Sequence, residues 1–383
     1  MHTNDFRNGL CLGLTVLGIG CRSGLPQSGV GDPHKAPVAG LAANHLRAPF
    51  DIEARRVHLP SREPARLPSI PNLAAIRDVD GVSFYVDENK SVADPKLKQQ
   101  NVEALAPLRE FVRGVVLHAD AWASSQPEFP QYAERVRDAL CSWAIGKALL
   151  GKVNRQGAYE REWSLGSLAL AYLKVRDAEV ISPEQRNLVQ GWLRELAETV
   201  IPNNERAGLR SSSNNHAYWT GMAVAAAGIA SDSRALFDWG IARSRLAIEQ
   251  VRPDGVLPLE LDRRALALHY HVFAAAPLVM LAEMGAANGM DLYHEKDSAL
   301  MRLIDRVIQG LSDPATFAEL AGVPQEIAVP PAKTDLAWAE PYFARFGDRR
   351  LSGWLAQARP LFDVRLGGDM TATFARFPTL ALP

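Results

Sequence analysis

The sequence predicts an all-α protein built from antiparallel helical hairpins. Three observations support this fold class. Apolar residues recur at three- and four-residue spacing in nine long segments, as on the buried face of a helix. No window shows the sustained alternation of apolar and polar residues that strands need. The stretch from Met222 to Ala230 is almost entirely small and apolar, as expected of an inner helix in a two-layered helical toroid.

The predicted helices follow one another with short connections, which favours stacked helical hairpins. They span Leu97–Trp122, Tyr132–Leu149, Trp163–Val175, Pro183–Val200, His216–Ala230, Ser233–Val251, Arg263–Asn288, Lys296–Ile308 and Lys333–Phe346. Ser182 and Pro183 predict a helix cap followed by proline at the first helical position. No repeat of fixed period is visible, which argues against a solenoid.

The N-terminus has the features of an export signal over residues 1–21. Arg7 supplies a positive charge, and the apolar run from Leu10 to Gly20 is too short to span a bilayer. Cys21 follows a sequence that loosely resembles a lipobox, so both lipid anchoring at Cys21 and simple cleavage stay open. We therefore expect a periplasmic or secreted protein, with no membrane-spanning segment in the mature chain.

Residues 22–70 are rich in proline, glycine, arginine and serine and show no helical period. We expect them to form an extended N-terminal segment, and residues 71–383 to form the helical domain. Cys141 is the one cysteine beyond residue 21, so no structural disulfide is expected.

The composition limits the classes of function. The 383 residues are 47% hydrophobic and 22% charged, with a formal net charge of -1. No global positive field would attract nucleic acid or an anionic membrane, so a polyanion would have to be held by clustered arginine and lysine. Phosphate-binding loops, nucleophile elbows and dinucleotide fingerprints are absent from the sequence, and no cofactor is expected.

A polar run at residues 211–216 leads directly into the apolar helix that starts near His216. Asn214 at this junction is first of all a candidate helix cap. A cap alone does not explain why Tyr218 and Trp219 crowd the first turn beside Asn215 and His216. Aromatic rings next to an amide and an imidazole would form a platform for a sugar.

The second polar cluster covers residues 260–271. Arg263 and Tyr270 are seven positions apart, which on one continuous helix places them on the same face, about 10 Å apart along the axis. Structural roles are available for both: an ion pair of Arg263 with Glu260 or Asp262, and a core position for Tyr270. His269 and His271 would point nearly opposite ways on a helix, so no metal site is expected.

With these residues in place, the chain resembles the mannuronate-specific alginate lyases of polysaccharide lyase family 5. The resemblance rests on seven segments that occur in order over residues of roughly 80 to 375. They begin at Trp163, Asn215, Leu236, Leu257, Tyr270, Trp338 and Arg365, and include Asn215-His216-Ala217-Tyr218-Trp219 and Leu257-Pro258-Leu259-Glu260-Leu261-Asp262-Arg263-Arg264. The family implies an incomplete (α/α) toroid with a substrate cleft across one end.

The resemblance also implies roles for individual residues. The neutralising amide and imidazole fall on Asn215 and His216, the arginine on Arg263 and the catalytic tyrosine on Tyr270. A mobile lid falls near residues 85–91. The residues predicted to bind substrate, some from the resemblance and some from the residues themselves, are Tyr85, Lys90, Arg161, Tyr218, Trp219, His269 and Arg365. His269 departs from the family, in which this position is usually small, so it puts strict alginate specificity in question.

The expected reaction is β-elimination in a β-linked polyuronate by a monomeric enzyme, giving 4,5-unsaturated uronate ends. In β-D-mannuronate and β-D-glucuronate the C5 hydrogen and O4 lie on the same side of the ring. One group, Tyr270, could then act as base and acid in turn, although a free phenol has a pKa near 10. A glycoside hydrolase of an anionic polysaccharide using Glu260 and Asp262, or a non-catalytic polyuronate-binding envelope protein, remain alternatives at this point.

Overall fold

Helices form nearly all of the regular structure in the computed structural model, which describes residues 45–56, 67–125, 129–206 and 208–375. The helices are α1 (Ile52–Arg56), α2 (Pro95–Ala123), α3 (Gln131–Ile145), α4 (Arg155–Val175), α5 (Pro183–Asn204), α6 (Asn215–Ala230), α7 (Arg234–Gln250), α8 (Pro258–Leu261), α9 (Ala267–Ala287), α10 (Glu295–Ser312), α11 (Ala315–Ala321), α12 (Ala339–Phe346), α13 (Arg349–Ala358) and α14 (Met370–Phe374). Two short antiparallel strands, β1 (Phe362–Asp363) and β2 (Gly368–Asp369), pair near the C-terminus.

The helices form a two-layered ring. The inner layer runs α2, α4, α6, α9 and α12, each packed on the next, and α14 bridges α12 back to α2. Helices α3, α5, α7, α10 and α13 pack outside them. The predicted (α/α) toroid is therefore confirmed.

Sequence composition explains which helices lie inside. Helix α6 is buried all round and α9 nearly so, because both are made almost entirely of small and apolar residues. Glycines allow α6 and α7 to approach closely: a Cβ on Gly240 would lie 2.4 Å from the carbonyl oxygen of Gly221. Helix α10 carries its buried residues on one side only, as an outer helix should.

Several helix boundaries match their sequence signals. Ser182 caps α5 in a capping box with Gln185, as the Ser-Pro signal predicted. Asn214 caps α6, with its Oδ1 accepting a hydrogen bond from the backbone nitrogen of His216 at 3.1 Å. The cap hypothesis for Asn214 is therefore confirmed.

Two predicted helices are wrong as single elements. The segment predicted as Arg263–Asn288 is broken, since Arg264 has a φ of +52° and a short 3₁₀ turn precedes α9. The segment Lys333–Phe346 is likewise split between a 3₁₀ turn and α12. In both cases the apolar spacing continues through a tight turn, so periodicity alone does not reveal the break.

The C-terminal hairpin is anchored by a buried ion pair. Lys174 Nζ lies 2.5 Å from Asp120 Oδ1 and donates to the carbonyl oxygen of Gly367 at 2.7 Å. The second Asp120 oxygen accepts from the backbone nitrogen of Asp369 at 2.8 Å. These contacts fix the turn that carries Arg365 against the inner helices.

The N-terminal predictions are described only in part. Residues 1–21, with Cys21, lie outside the described residues, as do residues 22–44 and 57–66 of the predicted extended segment. Within that segment α1 is helical, which corrects the expectation of wholly extended chain. In the part of the chain that the structure describes, Arg264–Ala287 is the one stretch apolar enough to cross a membrane, and 78% of its most apolar window is buried inside the toroid.

Candidate active site

A cleft of about 220 Å³ opens between the ends of the inner helices and the loop around residues 83–90. Its lining includes Tyr85, Lys90, Arg155, Tyr159, Trp163, Asn214, His216, Arg263, His269, Tyr270 and Phe273. A wider chamber of about 590 Å³ adjoins it and shares Trp163, His269 and Phe273. The cleft and the chamber therefore meet at these three side chains.

Tyr270 lies at the centre of this cleft. The guanidinium carbon of Arg263 sits 3.5 Å from the centroid of the Tyr270 ring, and the Tyr85 hydroxyl oxygen lies 2.6 Å from that of Tyr270. Burial raises the pKa of Tyr270 well above its ordinary value, and the nearby Arg263 cation only partly opposes this. The Tyr270 phenol is therefore protonated near pH 7.

Arg263 reaches Tyr270 from a turn. The prediction that both residues share one helical face is wrong, because Arg263 precedes the 3₁₀ turn at the start of α9. Its Nη2 donates to the carbonyl oxygen of Lys90 at 2.5 Å, and its guanidinium carbon lies 5.4 Å from the ring centre of Tyr85. Arg263 thus joins Tyr270 to the loop that covers it.

His216 lies in the first turn of α6 and forms part of one wall of the cleft. Its ring stacks on that of Tyr159 at a centroid distance of 3.9 Å and an angle of 19°. Burial, together with the positive charges of Arg263 and Arg155, lowers the pKa of His216 to about 3. The imidazole is therefore neutral near pH 7, and its Nδ1 has no hydrogen-bond partner among the described residues.

Asn215 lies one layer behind the cleft surface and is fully buried. Its backbone nitrogen donates to Glu260 Oε1 at 2.7 Å and its amide nitrogen to Glu260 Oε2 at 2.9 Å. The backbone carbonyl of Glu260 accepts from the nitrogen of Arg263 at 3.1 Å. Glu260 therefore ties the start of α6 to the turn carrying Arg263, while Asn214 takes the neighbouring place on the cleft.

The wider chamber contains further predicted residues. The guanidinium carbon of Arg365 lies 4.9 Å from the ring centre of Trp163 and 5.6 Å from that of Phe273. His269 lines both cavities and stacks on Phe273 at 6.5 Å. Trp219 lines the chamber, with its indole nitrogen donating to the carbonyl oxygen of Phe273 at 3.1 Å.

Two predicted substrate-binding residues are placed elsewhere. Tyr218 is fully buried and its hydroxyl donates to Gln250 Oε1 at 2.8 Å, so it packs in the core. Arg161 is 3% exposed, and its Nη1 contacts the carbonyl oxygen of Gly151 at 3.4 Å. Neither side chain lines the cleft or the chamber. Both point inward from buried helices, an orientation that residue type alone does not indicate.

The predicted lid forms a small loop closed by a bridge between Tyr85 and Ala93. The side chain of Asp87 stabilises this loop. Its Oδ1 accepts hydrogen bonds from the backbone nitrogens of Ser91 and Val92 at 2.8 and 2.7 Å. Desolvation alone would raise the pKa of Asp87, but these hydrogen bonds lower it to about 2. The loop thus holds its own shape, with Tyr85 and Lys90 facing the cleft.

Sequence reasoning missed Tyr159 and Arg155 and treated Trp163 only as part of a motif. Tyr159 and Trp163 are four positions apart on α4, so they share one helical face toward the cleft. This aromatic pair, four residues apart at the start of a helix, is the signal that could have revealed them.

Ionisable side chains do not converge on a metal site within the described ranges. His271 is fully buried, and its Nε2 accepts from the backbone nitrogen of Leu257 at 3.0 Å. His269 instead faces the cleft. The two side chains therefore point in different directions, as predicted for residues two positions apart on a helix.

A helical toroid with a groove lined by arginines and aromatic rings, and with a tyrosine under an arginine at its centre, has the form of a polysaccharide lyase. Comparison with known proteins agrees. Residues 51–317 match the family model described as alginate lyase. The chain belongs to this family and is a polysaccharide lyase.

Individual relatives support this assignment. The chain is 37% identical to a polysaccharide lyase of Stenotrophomonas maltophilia strain K279a, over 77% of this chain and 87% of that one. It is 39% identical to an alginate lyase of Azotobacter chroococcum mcd 1, over 61% and 64% of the two chains. Alginate lyase A1-III from Sphingomonas species A1 is similar in structure, with a TM-score of 0.72, 26% identity, and coverage of 86% and 96%. A variant of A1-III complexed with a tetrasaccharide gives a TM-score of 0.74 at 27% identity, with coverage of 86% and 95%.

Proposed function

We propose that the protein cleaves β-linked polyuronate, poly-β-D-mannuronate first, by same-side elimination at Tyr270. The observation that carries the proposal is the contact of Tyr270 with the Arg263 guanidinium, inside a cleft that His216 and the lid close. Relatives described as alginate lyases support alginate as the polymer, and the same-side geometry at Tyr270 favours its mannuronate units. Polyglucuronate and hyaluronan have the same geometry at C4 and C5, so they are included as candidate substrates.

The proton path starts from the protonation states of Tyr270 and His216. Tyr270 starts as a phenol and must lose its proton before it can act as a base. His216 lines the same cleft and has an unpartnered ring nitrogen, and it takes this proton only once a bound uronate carboxylate has raised its pKa, because burial and two arginines otherwise make it a weak base. A uronate carboxylate bound beside His216 favours the resulting imidazolium.

The elimination itself then needs no further group. The Tyr270 phenolate takes the C5 proton, the C4–O4 bond breaks as the C4–C5 double bond forms, and the phenol returns its proton to O4. Arg263 and protonated His216 stabilise the charge that builds up on the carboxylate as C5 loses its proton. Asn215, held by Glu260, positions the helix start that carries His216.

Glu260 and Asp262, the two carboxylates considered for a hydrolase, are not placed for that reaction. Glu260 is fully buried and bonded to Asn215, whereas Asp262 lies on the surface and pairs with Arg210 at 3.1 Å. Neither carboxylate lines the cleft, and inverting or retaining hydrolysis needs two that flank the scissile bond.

An ultraviolet assay tests the proposal. The purified enzyme is incubated with polymannuronate, polyguluronate, polyglucuronate and hyaluronan, and unsaturated ends are followed by their absorbance. We expect absorbance with polymannuronate. New reducing ends without absorbance would indicate a hydrolase, and binding without either product would indicate a binding protein.

We also propose that the enzyme is exported and works as a monomer outside the cytoplasm. The charged, apolar leader at residues 1–21 supports export. Cell fractionation with mass spectrometry of the mature N-terminus tests it, and a lipid mass on Cys21 would distinguish anchoring from simple cleavage. Light scattering of the purified protein tests the monomer.

A further inference from the structure

A second cavity of about 270 Å³ adjoins the cleft beyond His216, and we call it the side pocket. Its lining includes Arg155, Tyr159, Glu162, Asn204, Arg206 and His216. The stacked rings of Tyr159 and His216 line both the cleft and the side pocket. None of the residues that line the chamber around Arg365 lines the side pocket, so the two cavities extend from different sides of the cleft.

The side pocket contains a polar group without a partner. Asn204 is 4% exposed, and its Oδ1 makes no hydrogen bond within the described residues. Its amide nitrogen contacts Thr220 Oγ1 at 3.4 Å, which orients the amide. A buried acceptor left unsatisfied is costly, so a ligand hydroxyl that donates to it would bind favourably.

Glu162 adds a buried carboxyl group. Thr220 Oγ1 lies 2.9 Å from Glu162 Oε2 and 2.8 Å from the carbonyl oxygen of His216. The threonine hydroxyl has one proton and the carbonyl can only accept, so a protonated Glu162 satisfies both contacts at once. Burial raises the pKa of Glu162 to about 8, which agrees with this arrangement.

Two cations border the pocket. Arg155 contacts the Tyr159 hydroxyl at 3.2 Å, and Arg206 is exposed. Neither guanidinium has a carboxylate partner among the ion pairs of the described residues. Neutral hydroxyl-binding groups inside and positive charge at the edge match one sugar unit that carries a carboxylate.

We propose that the side pocket binds one uronate unit of the polymer, on the side of the cleft away from Arg365. Asn204 and Glu162 contact its hydroxyls, and Arg206 its carboxylate. The inference rests on the proposed function, and it adds that the enzyme holds substrate on both sides of the bond it breaks. Chains long enough to fill the side pocket are then cleaved more efficiently than shorter ones.

The test compares kcat/KM on saturated mannuronate oligomers of increasing length. Arg206→Gln and Asn204→Ala should lower the ratio of long-chain to short-chain kcat/KM by about tenfold, the effect of losing one charged or buried hydrogen bond. Arg349→Gln, which removes an exposed arginine at the start of α13, is the matched control and should keep the wild-type ratio. Glu162→Ala, which removes the carboxyl group proposed to contact a sugar hydroxyl, should lower the ratio in the same way.

The outcomes separate the two proposals. A wild type that releases no unsaturated product from any polymer overturns the proposed function and the side-pocket inference together. If the wild type is active and both Arg206→Gln and Asn204→Ala keep the wild-type ratio, the side-pocket proposal alone is overturned. An equal loss of kcat/KM at every chain length also overturns the side-pocket proposal, because it would indicate a general effect on the cleft. Because Arg206 is exposed, its variant keeps the test valid even if Asn204→Ala fails to fold.

Discussion

Glu162 makes the stability of this protein depend on pH in a way that one substitution should remove. Its side chain is 4% exposed on the inner helix α4, and its carboxyl contacts only Thr220 among the hydrogen bonds of the described residues. Burial raises its pKa from 4.5 to about 8, although the Arg161 charge opposes the shift. Glu162→Gln replaces the protonated acid with a neutral side chain of the same shape.

The sign and size follow from proton linkage. The folded-state pKa is above the unfolded value, so the native protein retains a proton that the unfolded chain releases. Stability from this group is therefore full below about pH 4.5 and is lost as pH rises toward about 8. One proton corresponds to about 1.4 kcal/mol per pH unit, so raising the pH from about 5.5 to about 7.5 should cost the wild type about 2–3 kcal/mol through Glu162.

The assay is urea unfolding of wild type and Glu162→Gln at both pH values, followed by circular dichroism. Other titrating groups are common to both proteins and cancel in the difference. The variant should be about 1.4 kcal/mol more stable than the wild type near pH 5.5, and this difference should grow by about a further 2–3 kcal/mol near pH 7.5. A difference that does not change between the two pH values would show that Glu162 is already ionised in the native protein, and the reasoning would fail.

The remaining predictions concern the cleft. Tyr270→Phe should lower kcat by about 10²–10⁴ while oligosaccharide binding, measured by calorimetry, survives; retention of more than about a tenth of kcat would exclude the acid–base role. His216→Ala and Arg263→Ala should lower kcat more than KM, because their bonds to the carboxylate strengthen as charge develops, and a raised KM with unchanged kcat would show ground-state binding only. Burial lowers the pKa of His269, with Asp335 opposing, so His269→Phe should change the ratio of polymannuronate to polyglucuronate cleavage or the pH at which each is best cleaved. Unchanged ratios and profiles would mean that His269 only packs behind the cleft. Wild type should cleave polyguluronate poorly, since its C5 hydrogen lies on the opposite face, and strong cleavage would refute the same-side mechanism.

Helical periodicity and composition were sufficient to predict the architecture. A buried helix has to keep apolar side chains at every turn, so the inner helices α6 and α9 are visible directly in the sequence. The helix caps could also be predicted from the sequence, because Asn214 and Ser182 bind backbone groups within three residues of themselves. Each of these features depends on interactions between neighbours in the chain.

The assembly of the cleft was decided by tertiary structure. Tyr85 reaches Tyr270 across 185 positions, and the Arg263–Tyr270 contact arises from a turn with a left-handed residue, where periodicity predicted a shared helical face. Tyr218 shows the same limit, since its burial depends on which way its helix faces in the ring. The protonation of Tyr270 is a further case: an adjacent arginine favours the phenolate and burial opposes it, and only the packed structure sets the balance. Spacing along the chain determines which residues form a helix, whereas the depth and partners of a side chain depend on segments far away in sequence.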